Sequence, residues 1–580
     1  MQAMPSSALL LASLLLSVHA YSFVRVSAAS GWLARRTPTP GAASLLSAMA
    51  PSTGACYYDL SKRYEGIAVE DGGNSTSAVE ITVVSKGAQF TDLMSKINET
   101  DNFKLLQAVG FVSQSFPGNG KLLLLPDSAN TSALRHYAFY DPADNATKSS
   151  FKSFDGLFSS LTANNTYRIV PYCLAGNATE IDSTLANKLM MCQGMSSYRL
   201  TELGFKSRSP PSSTRPFNAS GNGSCALVVW PPASDRTLVR AMVSAHTLFK
   251  DMVDTPAMGM GPAEIETILR ALGADYGCNV TSIVGVPHLL DGGFPLVAAV
   301  GMAAAEGREP RVVELKWRPG DAPADVALPI VAIVGKGVTF DTGGLNIKGG
   351  GGMRNMKRDM AGSAVAAALA LLLMALKVPV ELHLIVPIAE NAIAGNALRP
   401  GDIVRSRNGL TIEITNTDAE GRLLLADAIT LAMENSPDLL VDFATLTGAA
   451  SVALGNDLPA VFSNDRSALM TLWQQGDDVG DPVWPMPLYE PSRESIRSSI
   501  ADLVNAADAG GGAITAALFL SEFVAAKQVS GAGGEAKKPT WLHLDFQGSR
   551  GGAADPQGLR CVLEYIQRRF AVGGRSAAAV

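Results

Sequence analysis

Asn416-Thr417-Asp418-Ala419-Glu420-Gly421-Arg422-Leu423 sets two carboxylates two residues apart and follows them with a guanidinium. Residues 412–415 before it read as a short apolar strand, and 422–434 after it carry the apolar spacing of a helix. Two carboxylates at a strand-to-helix junction form a metal-site pattern. A second cluster lies upstream, in Gly335-Lys336-Gly337-Val338-Thr339-Phe340-Asp341-Thr342-Gly343-Gly344-Leu345-Asn346-Ile347-Lys348 and Met356-Lys357-Arg358-Asp359-Met360.

Working outward, strand-like apolar runs recur at 328–334, 380–387, 439–443 and 541–546, and helical stretches at 236–252, 361–376 and 514–526 lie around them. Buried strands alternating with helices imply an α/β fold whose doubly wound sheet is covered on both faces. The apolar run 361–376 is 16 residues long, short for a bilayer span of ~20 residues. It reads as a buried helix, with no stable membrane insertion.

Hard divalent cations take oxygen ligands, and carboxylates converging at strand ends repel one another unless a cation neutralises them. Asp341, Asp359, Asp418 and Glu420 form such a set. The six histidines are scattered, with no HExxH pair, which argues against a His-rich mononuclear zinc site. A carboxylate-rich two-metal site fits better. Asp418 and Glu420 also suit the first turn of a helix, but capping leaves the Gly-flanked upstream clusters unexplained. Lys336 follows a strand, and the residues alone favour a terminus reaching solvent. For Lys348, in a glycine-rich loop, polarising a carbonyl and an ordinary loop role stand side by side. The run 343–352 lacks the GxxxxGK[ST] order of a phosphate cradle.

At 580 residues the chain is long enough for two domains plus terminal extensions. With 47% hydrophobic residues and a net charge of −6, it gives no electrostatic reason to expect nucleic acid. Residues 57–230 read as a smaller α/β domain, with a Ser/Pro/Asn/Gly-rich linker near 207–224. The catalytic region is expected at 235–572 and a tail at 573–580. The apolar run 8–18 followed by Val18-His19-Ala20 reads as a signal peptide over 1–20. Two readings stand for 21–56: a plastid transit-like segment, or a disordered secreted propeptide. Nine Asn-X-Ser/Thr sequons, from Asn74 to Asn279, and five of the six cysteines fall in the first half, which fits passage through a secretory lumen.

The octapeptide, with GKGVTFDTGG, MKRDM, RPGDIV (399–404) and DFATLTGA (442–449), resembles the M17 leucyl aminopeptidases over about 235–570. The resemblance implies a macro-like N-terminal α/β domain and a C-terminal catalytic domain whose mixed, largely parallel sheet is sandwiched by helices. It implies two divalent ions per subunit, zinc or manganese, with magnesium or cobalt also accepted. Lys336, Asp341, Asp359 and Glu420 would hold the tighter ion, and Asp341, Asp418 and Glu420 the exchangeable one. Lys348 and Arg422 match the catalytic positions, with a bicarbonate general base on Arg422. Met356, Thr445 and Gly448 match the pocket for the first side chain.

The resemblance further implies a homohexameric enzyme that removes N-terminal Leu or other apolar residues from peptides. The rival reading is a non-catalytic hexameric scaffold or nucleic-acid-binding protein, which the complete set of seven site residues and the acidic balance disfavour. The family is usually cytoplasmic, whereas the N-terminal segment points to the secretory route or a plastid. The sequence departs from the family at Gly349–Gly352, expected to loosen the loop after Lys348, and at Gln547–Gly552.

Overall fold

The computed structural model describes residues 235–524 except 324, residues 538–570, five N-terminal strands and residue 191. Those strands, β1 (Val79–Ser85), β2 (Leu122–Pro126), β3 (Leu134–Tyr140), β4 (Thr166–Pro171) and β5 (Leu227–Val229), form one sheet in the order β2-β3-β1-β4-β5. The rest of the macro-like assignment, the leader, the segment 21–56, the linker and the tail lie outside the described residues.

Residues 279–545 carry a nine-stranded sheet. Its strands are β6 (Asn279–Val284), β7 (Arg311–Trp317), β8 (Ile330–Gly335), β9 (Gly337–Asp341), β10 (Glu381–Asn391), β13 (Leu439–Ala444), β14 (Ala460–Ser463), β15 (Trp484–Pro485) and β17 (Thr540–Asp545). A separate small sheet holds β11 (Ile403–Arg405), β12 (Thr411–Glu413) and β16 (Leu503–Val504). The main order is β15-β14-β17-β13-β8-β10-β7-β6, with β9 paired to the end of β10. The central strands β17, β13, β8 and β10 run parallel, and every residue of β13 and β17 is buried. Burial along the whole strand suits strands covered on both faces.

The sheet is mixed and mostly parallel, as expected: β7 is antiparallel to β10 and to β6, and β14 is antiparallel to β17. The strand expected at 412–415 needs a correction. Residues 411–413 leave the main sheet for the small one, because the chain must turn away there into the octapeptide. β7 escaped the reading of apolar runs because Glu314 and Lys316 alternate with its buried residues.

Successive side chains on a strand point to opposite faces, and this gives the sheet two cores. Val331 and Ile333 belong to one core with α1 (Arg236–Asp254), α2 (Pro262–Tyr276) and α4 (Ala361–Ala375), whereas Ala332 and Val334 belong to another with α3 (Pro295–Gly301) and α5 (Gly421–Glu434). Helix α4 is buried from Ala361 to Met374, as a core helix between the sheet and α1 must be. The expected helix over 514–526 is α8 (Gly512–Ser521), reached past α6 (Gly448–Leu454) and α7 (Arg466–Asp478). The glycines after Lys348 contribute a helical turn, Gly350–Met353, where a loose loop was expected. Helix α9 (Leu559–Phe570) closes the fold.

Asp427 ties the second core together. Fully buried in α5, it accepts hydrogen bonds from Leu296 N (2.8 Å) and Arg407 N (2.9 Å). Helix α3 has no side-chain cap of its own, so Asp427 caps it from another helix. Asp427→Ala is expected to cost about 2–3 kcal/mol, the sum of a lost cap and a stranded buried donor. Equilibrium urea unfolding checks this, and an unchanged midpoint would remove the capping role.

Candidate metal centre

All the singled-out acidic groups lie at the C-terminal side of the sheet, where functional groups of α/β folds collect. Lys336 joins β8 to β9, and its backbone is fixed by Lys336 N to Phe443 O (3.0 Å) and Ser363 N to Lys336 O (2.8 Å). Asp341 ends β9. Asp359 closes the 3-10 turn Met356–Arg358, just before α4. Glu420 occupies the N-cap position of α5, yet its side chain makes no cap bond. The capping explanation therefore fails for Glu420.

One ligand oxygen each from Asp341, Asp418 and Glu420 converge within 4.8 Å of one another. Lys336 Nζ lies 2.8 Å from Asp359 Oδ2 and 3.1 Å from Glu420 Oε1, and donates to Thr445 O at 2.9 Å. Lys348 Nζ lies 2.7 Å from Asp341 Oδ2 and also pairs with Asp418. Lys336, Asp341, Asp359 and Glu420 are buried, whereas Asp418 is half-buried. The cluster opens on the Asp418 side. Gly421 permits this closeness, since a Cβ there would sit 2.4 Å from Lys336 Cε.

Four carboxylates face two ammonium groups, an excess of two negative charges in a largely buried site. The cost is visible in the proton affinities. Burial, with Asp341 close by, pushes the Glu420 carboxyl up to about 8. Burial also pushes Asp359 up to about 6 against the pull of Lys336, and raises Asp418. For Lys336, burial acts to lower the ammonium's pKa, but Asp359, Glu420 and Asp341 outweigh it and hold the proton on. An all-oxygen donor set short of positive charge fits hard divalent cations. Lys336 joins it as a ligand only if cation charge displaces its proton.

Arg422, in the first turn of α5, is buried and donates to Asn505 O at 2.6 Å. Burial lowers its pKa to about 10, which leaves it cationic at neutral pH. Its Nε is buried with no hydrogen-bond partner, a donor left over for an anion. Thr445 Oγ1 donates to Asp359 Oδ1 at 2.7 Å and so enters the network. Met356 sits half-buried in the 3-10 turn beside it. Gly448 opens α6, with nothing within 4 Å of where its Cβ would project.

Three supporting residues escaped the sequence reading. Asn505, fully buried, accepts from Thr415 N (2.9 Å) and Asn416 N (3.2 Å) and donates to Asn416 O (2.6 Å), which pins the octapeptide. Asp545 accepts from Leu446 N (3.0 Å) and Thr447 N (3.1 Å) and fixes the loop that carries Thr445. Asn391 lies beside Asp341. Asp545 and Asn391 share a legible signal: each is a polar residue at the C-terminal end of a central strand.

Comparison with known proteins gives a consistent picture. Residues 247–561 match the family model described as the cytosol aminopeptidase family, catalytic domain. A probable cytosol aminopeptidase from a Cyanothece species is 42% identical over 306 residues, 53% of this chain and 58% of that protein. One from Nostoc punctiforme is 38% identical, over 57% of this chain and 65% of that protein. The chain thus matches less than two thirds of the length of these relatives. The crystal structure of the cytosol aminopeptidase from Coxiella burnetii superposes with a TM-score of 0.70 at 32% identity, over 86% of this chain and 98% of that one. The bottromycin maturation enzyme BotP in complex with Mn superposes with a TM-score of 0.68 at 29% identity, over 85% of this chain and 100% of that one.

Proposed function

Because the chain belongs to the cytosol aminopeptidase family, M17, we propose that it is a metal-dependent aminopeptidase that removes the N-terminal residue, by preference Leu or another apolar one, from peptides. The observation that carries this reading is the convergence of Asp341, Asp418 and Glu420 within 4.8 Å beside the ammonium of Lys348. Manganese in the BotP structure supports a divalent ion of that kind. The family resemblance adds zinc, magnesium and cobalt as alternatives, and a homohexamer as the assembly.

In this proposal Lys336, Asp341, Asp359 and Glu420 would hold one ion, and Asp341, Asp418 and Glu420 would hold the other. When bound, the two ions would supply water with a pKa near ~7, polarise the scissile carbonyl and anchor the substrate's free α-amine. Lys348 stays protonated, its pKa raised by Asp341 and Asp418 against the lowering effect of burial, and donates to the oxygen that gains charge as the carbonyl is attacked. Arg422 would hold a small anion, bicarbonate by family resemblance, through its spare Nε, and such an anion would supply the general-base chemistry that the attacking water needs. Met356, Thr445 and Gly448 border the first side chain.

Anchoring through a free α-amine makes a direct test. Leucyl amide and Leu-Gly-Gly should release free leucine, whereas their N-acetylated forms should release none. Equal cleavage of the acetylated forms would rule out the exopeptidase reading.

A further inference from the structure

We propose that Asn391 is the positioning residue that holds the two shared carboxylates, Asp341 and Glu420, in their ligating orientation; this rests on the metal-centre reading above. Asn391 Nδ2 donates to Asp341 Oδ1 at 2.8 Å, to Thr417 O at 3.1 Å and, more weakly, to Glu420 Oε2 at 3.4 Å. It is the one described residue hydrogen-bonded to both carboxylates. All three partners are oxygens, so the amide's orientation is forced: the flipped form would set its carbonyl against two carboxylates and a carbonyl.

The contacts divide the oxygens of each carboxylate. Lys348 takes Asp341 Oδ2 and Lys336 takes Glu420 Oε1, which leaves Glu420 Oε2 to Asn391 and Asp341 Oδ1 to Asn391 together with the Gly343 backbone N–H, which donates to it at 2.8 Å. A neutral donor is the chemistry this position requires. A lysine or arginine there would cancel the negative charge that the ions are to meet, whereas a carboxamide orients the oxygens and leaves that charge intact. The backbone is arranged for it. A register irregularity between Ala389 and Asn391 sets Asn391 opposite Asp341 in the β9–β10 pair, and Asn391 O is held by Thr342 N (3.1 Å) and Thr342 Oγ1 (2.8 Å). On the other side the chain passes at Gly344, in the left-handed region with φ +64°, where a Cβ would fall 2.9 Å from Asn391 Oδ1.

Removing such an orienting partner typically costs about 10- to 100-fold in metal affinity. The test uses full-length protein stripped with EDTA and titrated with Mn²⁺ by calorimetry, with melting temperatures recorded with and without Mn²⁺. Asn391→Leu, of similar volume, and Asn391→Ala, which leaves a cavity, should both weaken Mn²⁺ binding about 10- to 100-fold and both shrink the Mn²⁺-induced rise in melting temperature. A packing role alone would lower the metal-free melting temperature of Asn391→Ala more than that of Asn391→Leu and leave the Mn²⁺-induced rise intact in both. That result, or Mn²⁺ affinity within threefold of wild type in Asn391→Leu, overturns the inference. A variant with a lowered melting point still reports through the Mn²⁺-induced shift. Wild-type protein that binds no Mn²⁺ would instead overturn the metal-centre reading beneath it.

Discussion

Stripping the protein with EDTA should lower hydrolysis of leucyl amide by at least ~10³-fold, since Lewis-acid stabilisation is worth several kcal/mol and each ~1.4 kcal/mol is a factor of ten. Added Mn²⁺ should restore the rate. Glu420→Gln should show a loss of similar size that excess Mn²⁺ does not repair. Glu420 is buried and lies against both Lys336 and Asn391, so its carboxylate belongs to the centre rather than to the surface. The amide has the same shape but half the oxygen donors and no charge. The burial of a charge and the repulsion from Asp341, which together push the Glu420 carboxyl up to about 8, vanish with it, so the metal-free variant should melt no lower than metal-free wild type. Loss of rate with unchanged or raised stability separates a functional carboxylate from a structural one. Rates that survive both EDTA and the substitution would sink the metallopeptidase proposal.

The fold and the site were legible in the sequence to different depths. Helices α4 and α5 and strands β8, β13 and β17 were readable because each is an apolar run whose ends carry turn or polar residues. The edge of the sheet was not, because antiparallel pairing of β7 with β6 and β10 leaves no local mark beyond an alternation that charged residues disguise. The acidic cluster was readable as a set of residues because its members fall in three short glycine-flanked segments. That Lys336 faces Asp359 and Glu420 rather than solvent followed only from the family resemblance and was not readable from the residues alone. It depends on Gly421 allowing an approach no side chain would permit, a fact of three dimensions. Asn505 was invisible for a related reason: its partners lie about 90 residues upstream.

Lys348→Met should lower kcat about 10²- to 10³-fold, the usual cost of one preorganised oxyanion donor, with KM changed little. The split follows from where the ammonium sits. Its loop is held in place without it: Lys348 N donates to Thr342 O at 2.9 Å, Asn346 N donates to Thr417 Oγ1 at 2.8 Å, and Thr417 N donates to Asn346 Oδ1 at 2.8 Å. Methionine keeps the stem and removes only the charge, so ground-state binding should survive while transition-state stabilisation is lost. Mn²⁺ content should not fall, because the ammonium competes with a cation for Asp341 and Asp418. Lys336→Met should behave differently, losing Mn²⁺ together with rate, if Lys336 serves as a ligand. Lys348→Arg should recover part of the rate but not all, since a planar fork replaces a compact point charge. A KM that rises with kcat unchanged would reassign Lys348 to substrate binding, and it would leave the developing oxyanion to the ions alone.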